Sequence, residues 1–215
     1  MEQGRFVLQE RMKNMIFNIT VLKRLMKTAY KGAGLLVANK NGSIILGGSY
    51  WRLQVYENYF PKKAKASLVE LIGQLPMQGE SFRCTADGNQ MELPGEDLEE
   101  IANEMDWSNP YEQTKVLLES TLRYVRPYQN KKTDTIFLDE VFSQLLDGNT
   151  EPGEDCSING PCKRNESEYN RVFFSSDTCI LEAYTIIPKI EQGMDPKTSQ
   201  LERAMSEFAN MELPK

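Results

Sequence analysis

The dipeptide Asn41-Gly42 stands between two short apolar runs, Gly34–Asn39 (GLLVAN) and Ser43–Gly48 (SIILGG). A tight hairpin turn needs positive φ at its central residues, and Asn-Gly supplies it at least cost, so this stretch is committed to antiparallel strands. Residues 50–60 extend the sheet. Trp51, Leu53 and Val55 alternate there with Arg52, Gln54 and Tyr56, which predicts one buried face and one wet face. Asp87-Gly88 marks a second hairpin, between strands at 80–85 and 89–93, and a short strand is expected at 14–19.

Helical periodicity surrounds these strands. Over 20–31, Val21, Leu22, Leu25, Met26 and Ala29 share one stripe, Lys23, Arg24, Lys27 and Lys31 share the opposite one, and Gly32 and Gly34 end the helix. Pro61 opens a second helix whose apolar stripe is Ala64, Leu68, Leu71, Ile72 and Leu75, and Pro76 stops it. Lys62, Lys63 and Lys65 crowd its first turn, where they oppose the helix dipole, so something other than stability keeps them there. Hairpin-linked strands mixed with amphipathic helices make an α+β fold.

Composition changes near residue 95. GEDLEEIANEMDW is acidic with helical spacing at Leu98, Ile101, Ala102 and Met105, and a further helix is expected near 112–125, stopped by Pro127. Residues 128–133 read as a linker and 133–147 as strand then helix. Residues 148–169 read as a long loop, 171–175 and 178–187 as strands. A tail helix at 198–213 has a capping box, Ser199-x-x-Glu202, and a stripe of Leu201, Met205 and Phe208 that could dock on a partner.

Much chemistry is excluded. The chain has no histidine, so Ser-His, Cys-His and His-zinc mechanisms are out. There is no P-loop, dinucleotide-binding glycine pattern, nucleophile elbow or EF-hand loop. Cys156 and Cys162, beside Glu154 and Asp155, lack knuckle spacing, and Cys84 and Cys179 add no matching pair, so no metal is expected. Acid runs at Glu96, Asp97, Glu99 and Glu100, and Asp134, Asp139 and Glu140, read as solvated faces. No cofactor is expected, and the chain is expected not to be an enzyme. No apolar run is long enough for a membrane span, and the start has no secretory h-region. With four cysteines this predicts a cytoplasmic protein with reduced thiols.

Charge speaks to partners. Residues 1–66 hold twelve lysines and arginines against three acids, a net of +9, while the remaining 149 residues carry a net of −15. A field of one sign attracts polyanions and repels like surfaces. Tyr30, Tyr50, Trp51, Tyr56 and Tyr59 lie near the basic residues, and their plain reading is as strand formers.

The stretch FPKKAKASLVELIGQLPMQGESFRCTADGNQMEL (60–93), following the strand-helix pattern of Met15–Lys31, resembles the second helix and hairpin of the DNA sliding clamps, the polymerase processivity factors. The resemblance covers 15–93 well and 133–190 poorly. It implies modules of antiparallel sheet with two helices packed on one face, the second module incomplete: 1–95 a basic clamp-like module, 96–132 an acidic helical connector, 133–192 the incomplete module, 193–215 an amphipathic helix. In clamps the helices line a bore that holds duplex DNA. The resemblance therefore implies phosphate contacts at Lys23, Arg24, Lys27, Lys31, Lys62, Lys63 and Lys65, independent of sequence. A homo-oligomer stays open. The competing expectation is an acidic inhibitor or adaptor, of the kind phage and mobile elements encode, whose second half docks on a basic host protein, with Leu201, Met205 and Phe208 as the docking face.

Overall fold

The computed structural model describes residues 17–91, 98, 104–120, 123–146, 158–164, 170–189 and 196–215. It is α+β, with antiparallel sheets and helices. The chain falls into two units that do not respect sequence order. The first comprises Met1–Leu98, Gln144–Ile158 and Ser176–Leu181, and the second Glu99–Ser143, Asn159–Ser175 and Glu182–Lys215.

The first unit starts with helix α1 (Ile19–Lys31). This corrects the strand expected at 14–19: Phe17 and Asn18 are neither helix nor strand, Ile19 already belongs to α1, and residues 14–16 lie outside the described ones. Asn18 caps α1, its Oδ1 accepting from the N–H groups of Thr20 (3.0 Å) and Val21 (3.3 Å), which satisfies two of the helix's orphan donors. Gly34 ends the helical segment at φ 103°, its N–H donating to the Ala29 carbonyl. A Cβ there would lie 2.6 Å from Arg83 Cγ.

Strands β1 (Leu35–Lys40) and β2 (Ser43–Gly47) pair with Lys40 opposite Ser43. Asn41 and Gly42 take φ 49° and 72°, both positive as a type I′ turn requires. Strand β3 (Trp51–Tyr56) pairs with β2, and a 3-10 turn (Glu57–Tyr59) leads to helix α2 (Lys62–Ile72), which Gly73 ends at φ 84°. Strand β4 (Ser81–Thr85) pairs with β1, and β5 (Gly88–Met91) with β4. The hairpin loop is Ala86-Asp87, because Gly88 already pairs with Thr85.

The wet face expected of β3 is only partly wet. Gln54 is buried, and it is satisfied by Ser43 Oγ (3.3 Å) and the Leu98 N–H (3.1 Å). Helix α1 packs on β1, β2 and β4 and lies against α2. Val21, Leu22 and Met26 of α1 are buried, as are Ala64, Leu68 and Ile72 of α2. Burying side chains of the size of Val21, Leu22, Met26, Leu68 and Ile72 stabilises the unit by roughly 1.5–3 kcal/mol each.

In the second unit the helix expected at 112–125 is absent. Strands β6 (Glu112–Gln113), β7 (Leu118–Glu119) and β8 (Tyr124–Gln129) stand in its place, and β8, not a linker, runs through Tyr128. β6 and β7 pair along β8, and β9 (Thr135–Asp139) also pairs with β8. Helix α3 (Glu140–Leu146) begins directly after β9. Part of the expected 148–169 loop is strand β10 (Asn159–Lys163), paired with β11 (Arg171–Ser175); the rest of that loop lies outside the described residues, apart from Ile158 and Arg164. Strand β12 (Cys179–Tyr184), whose first three residues are counted in the first unit, comes next, and helix α4 (Pro196–Phe208) is the last element. The core of this unit gathers Leu118, Val125, Phe137, Leu201 and Met205.

Candidate functional site

Helix α1 turns its charges outward because its apolar residues turn inward. At 100° per residue, Lys23, Arg24, Lys27 and Lys31 fall within one third of the circumference, opposite Leu22, Met26 and Ala29. All four are exposed or nearly so. Arg24 is braced by Gln144 Oε1 at 3.1 Å from Nη2, a neutral acceptor that leaves its charge in place. Lys31 sits in the last turn, where the helix dipole favours a cation. From Lys23 to Lys31 the row spans about 12 Å of helix axis.

The first turn of α2 adds to the row of its neighbour. Lys62 and Lys63 are exposed, the turn holds no acid, and Pro61 provides no side-chain cap. Lys65 differs. It is half-buried, and its Nζ lies 3.4 Å from Glu57 Oε1. Six of the seven expected cations are therefore exposed on two adjoining helices, and the seventh has a carboxylate beside it. Among the described residues, Lys23, Lys27, Lys31, Lys62 and Lys63 have no ion-pair partner.

Three acids from the acidic runs of the sequence, Glu140, Asp139 and Asp134, are engaged elsewhere. Glu140 is buried and grips Arg126 with both oxygens, at 2.7 Å from Nε and 2.6 Å from Nη2. That pair of bonds raises the Arg126 pKa. Asp139 caps α3 through the Val141 N–H (3.0 Å), and Asp134 binds Lys163 at 2.9 Å. Asp147, Glu96, Asp97, Glu99 and Glu100 lie outside the described residues.

The proposed docking stripe on the tail helix needs correction. Leu201 and Met205 are 5 % and 0 % exposed, and Phe208 packs against them in the core of the second unit. Their periodicity reports a buried face, which is the usual reason for an apolar stripe. Glu202, expected in a capping box, is buried and accepts from the Lys189 N–H (2.8 Å) and from Arg123 (3.3 Å).

Cys84, Cys162 and Cys179 are buried. Burial pushes Cys84 up to about 11, and burial together with the Asp106 carboxylate does the same to Cys162. Cys156, Glu154 and Asp155 lie outside the described residues, and no group of three potential metal ligands occurs among the described ones. Of the aromatics near the cations, Trp51 is core, Tyr30 and Tyr56 are partly covered, and Tyr50 and Tyr59 are well exposed. No described helix is long and apolar enough to cross a membrane.

No protein-family model and no curated protein matches the chain. Among solved structures it is similar to a DNA polymerase III subunit beta DnaN sliding clamp from Bartonella birtlesii LL-WM9. The identity is 10 % and the TM-score 0.25, over 86 % of this chain and 66 % of that one. A clamp from Bartonella birtlesii bound to griselimycin gives 11 % and 0.23, over 85 % and 64 %. The chain thus spans just under two thirds of the clamp chains it matches. TM-scores this low do not establish a common fold.

Proposed function

We propose that this chain is a non-catalytic binding module that takes duplex DNA, independently of sequence, on the exposed faces of α1 and the first turn of α2. One observation carries the reading: Lys23, Arg24, Lys27, Lys31, Lys62 and Lys63 are exposed on two helices that lie against each other, and the five lysines have no ion-pair partner among the described residues. Duplex DNA presents about one charge per 1.7 Å of its axis, so the length of the α1 row passes several phosphates. Point charges on flexible stems position a protein on phosphates without reading bases. A tether for a replication or repair partner is a role such a module can fill.

The acidic-adaptor reading has less behind it. Four of the described acids that would imitate a nucleic acid, Glu140, Glu182, Glu202 and Asp134, are held inside the second unit by Arg126, Arg171, Arg123 and Lys163. Its apolar docking stripe is core.

Fluorescence anisotropy with duplexes of unrelated sequence tests the proposal. Six phosphate contacts give a log–log salt slope of about −5 and equal affinity for each duplex. Absence of binding at about 25 mM salt removes the reading, since phosphate contacts are strongest at low salt.

A further inference from the structure

The segment Met211–Lys215 is held as a ligand is held. Gln129, 1 % exposed in β8 between β6 and β9, turns its side-chain amide on the backbone of this tail. Its Nε2 donates to the Met211 carbonyl at 2.7 Å, and its Oε1 accepts from the Leu213 N–H at 3.0 Å. One buried amide thus reproduces the donor–acceptor pair that a neighbouring strand would offer. The Lys115 N–H donates to the Pro214 carbonyl at 2.8 Å, and Lys215 pairs with Glu112 at 3.1 Å. Only one side chain of the five is enclosed: Leu213 is 5 % exposed, whereas Met211 is 51 % exposed. The slot reads an extended backbone and a leucine. At the next position proline loses nothing, because among the described contacts only its carbonyl is engaged.

The same tetrapeptide occurs once more in the chain. Met-Glu-Leu-Pro stands at 211–214 and again at 91–94. We infer that the slot beside Gln129 is a peptide-docking site, filled in cis by Met211–Lys215 and open, when that segment leaves, to Met91–Pro94 of a second copy of this chain. Leu93 then takes the place of Leu213, and the carbonyls of residues 91 and 94 take those of 211 and 214. Gly95 replaces Lys215, so the partner on Glu112 is lost, which weakens the second occupant by about two- to fivefold, as for an exposed ion pair. This contact is heterologous, between unlike surfaces of two copies, and propagates head to tail. It does not depend on the cationic helices.

The test uses the full chain carrying Leu213→Asp, which expels the tail, with a fluorescein-labelled peptide of residues 90–95. The inference expects saturable binding to the variant and, at the same low peptide concentrations, none to the unaltered chain, whose slot is filled. A peptide of residues 211–215 binds two- to fivefold more tightly, the labelled peptide with Leu93→Asp does not bind, and Gln129→Ala in the variant abolishes binding. Should Leu213→Asp fail to fold, hydrogen exchange on the unaltered chain decides, with the 90–95 peptide at about 5 mM to rival a tethered tail. The Leu213 amide then exchanges faster, while the Lys115 amide, which the peptide also holds, stays slow. A folded variant that binds neither peptide, or a Leu213 amide indifferent to the peptide, overturns the inference.

Discussion

Replacing Glu140 by glutamine should cost the fold far more than a change of one surface charge. Glu140 and Arg126 side chains are 11 % and 14 % exposed and are joined by two short bonds. The guanidinium also donates to the carbonyls of Thr114 (3.3 Å) and Val116 (3.2 Å), so it ties the segment ahead of β7 to β8 and α3. Glutamine keeps the shape but leaves the guanidinium largely buried without a counter-charge, a loss of about 3–5 kcal/mol. For a chain of this length that lowers the midpoint by roughly 2–4 °C per kcal/mol. Arg126→Met with Glu140→Leu removes both charges and should cost much less than the sum of the single changes. What remains is about 1–3 kcal/mol for each carbonyl, Thr114 and Val116, left without its donor. Urea unfolding monitored by circular dichroism on the unaltered chain, Arg126→Met, Glu140→Leu and the double variant gives the cycle, with Glu140→Gln measured beside them. A Glu140→Gln cost under about 1 kcal/mol, the range of exposed pairs, or additive single changes, would refute the claim that this pair is a buried structural tie.

Three further outcomes are expected. Asn18→Ala removes the cap of α1 and should lower stability by about 1 kcal/mol in urea unfolding, with Asn18→Gly costing only a few tenths. Cys84 and Cys162, held as thiols by burial, should resist iodoacetamide at pH 8 until the protein unfolds. Their folded pKa of about 11 lies above the ordinary 9.0, so the stability they contribute is complete below pH 9 and is lost as pH rises towards 11. Glu57→Gln releases Lys65, and if the helices bind DNA the salt slope should steepen by about 0.9; an unchanged slope means Lys65 meets no phosphate.

What was legible in the sequence was local. Asn41-Gly42 fixed its hairpin because two positive φ values in succession exclude most other residues. Helix α1 was legible because its apolar and basic stripes repeat at 3.6 residues. The strands at 112–129 were not. Leu118 and Val125 are seven apart, which on a helix is one face, yet here they sit directly opposite each other across β7 and β8. An i, i+7 pair and a cross-strand pair look alike until the partner strand is known. The start of α1 was misread because Asn-Ile-Thr suits a strand as well as a cap. The Arg126–Glu140 tie and the amide of Gln129 join residues 14 and up to 84 positions apart, and no local pattern announces either. Among the cations, exposure came from periodicity, but the neighbour of Lys65 did not, since only the 3-10 turn brings Glu57 beside it.

The central claim is that two neighbouring helices act as one cationic surface, and lysine footprinting tests it most directly. The chain is acetylated with a water-soluble ester with and without a duplex of about 30 base pairs at low salt, and each lysine is read by mass spectrometry. The account predicts joint protection of Lys23, Lys27, Lys31, Lys62 and Lys63, with Lys115, Lys132 and Lys189 unchanged. Protection of one helix without the other, or of the second set in place of the first, would contradict it.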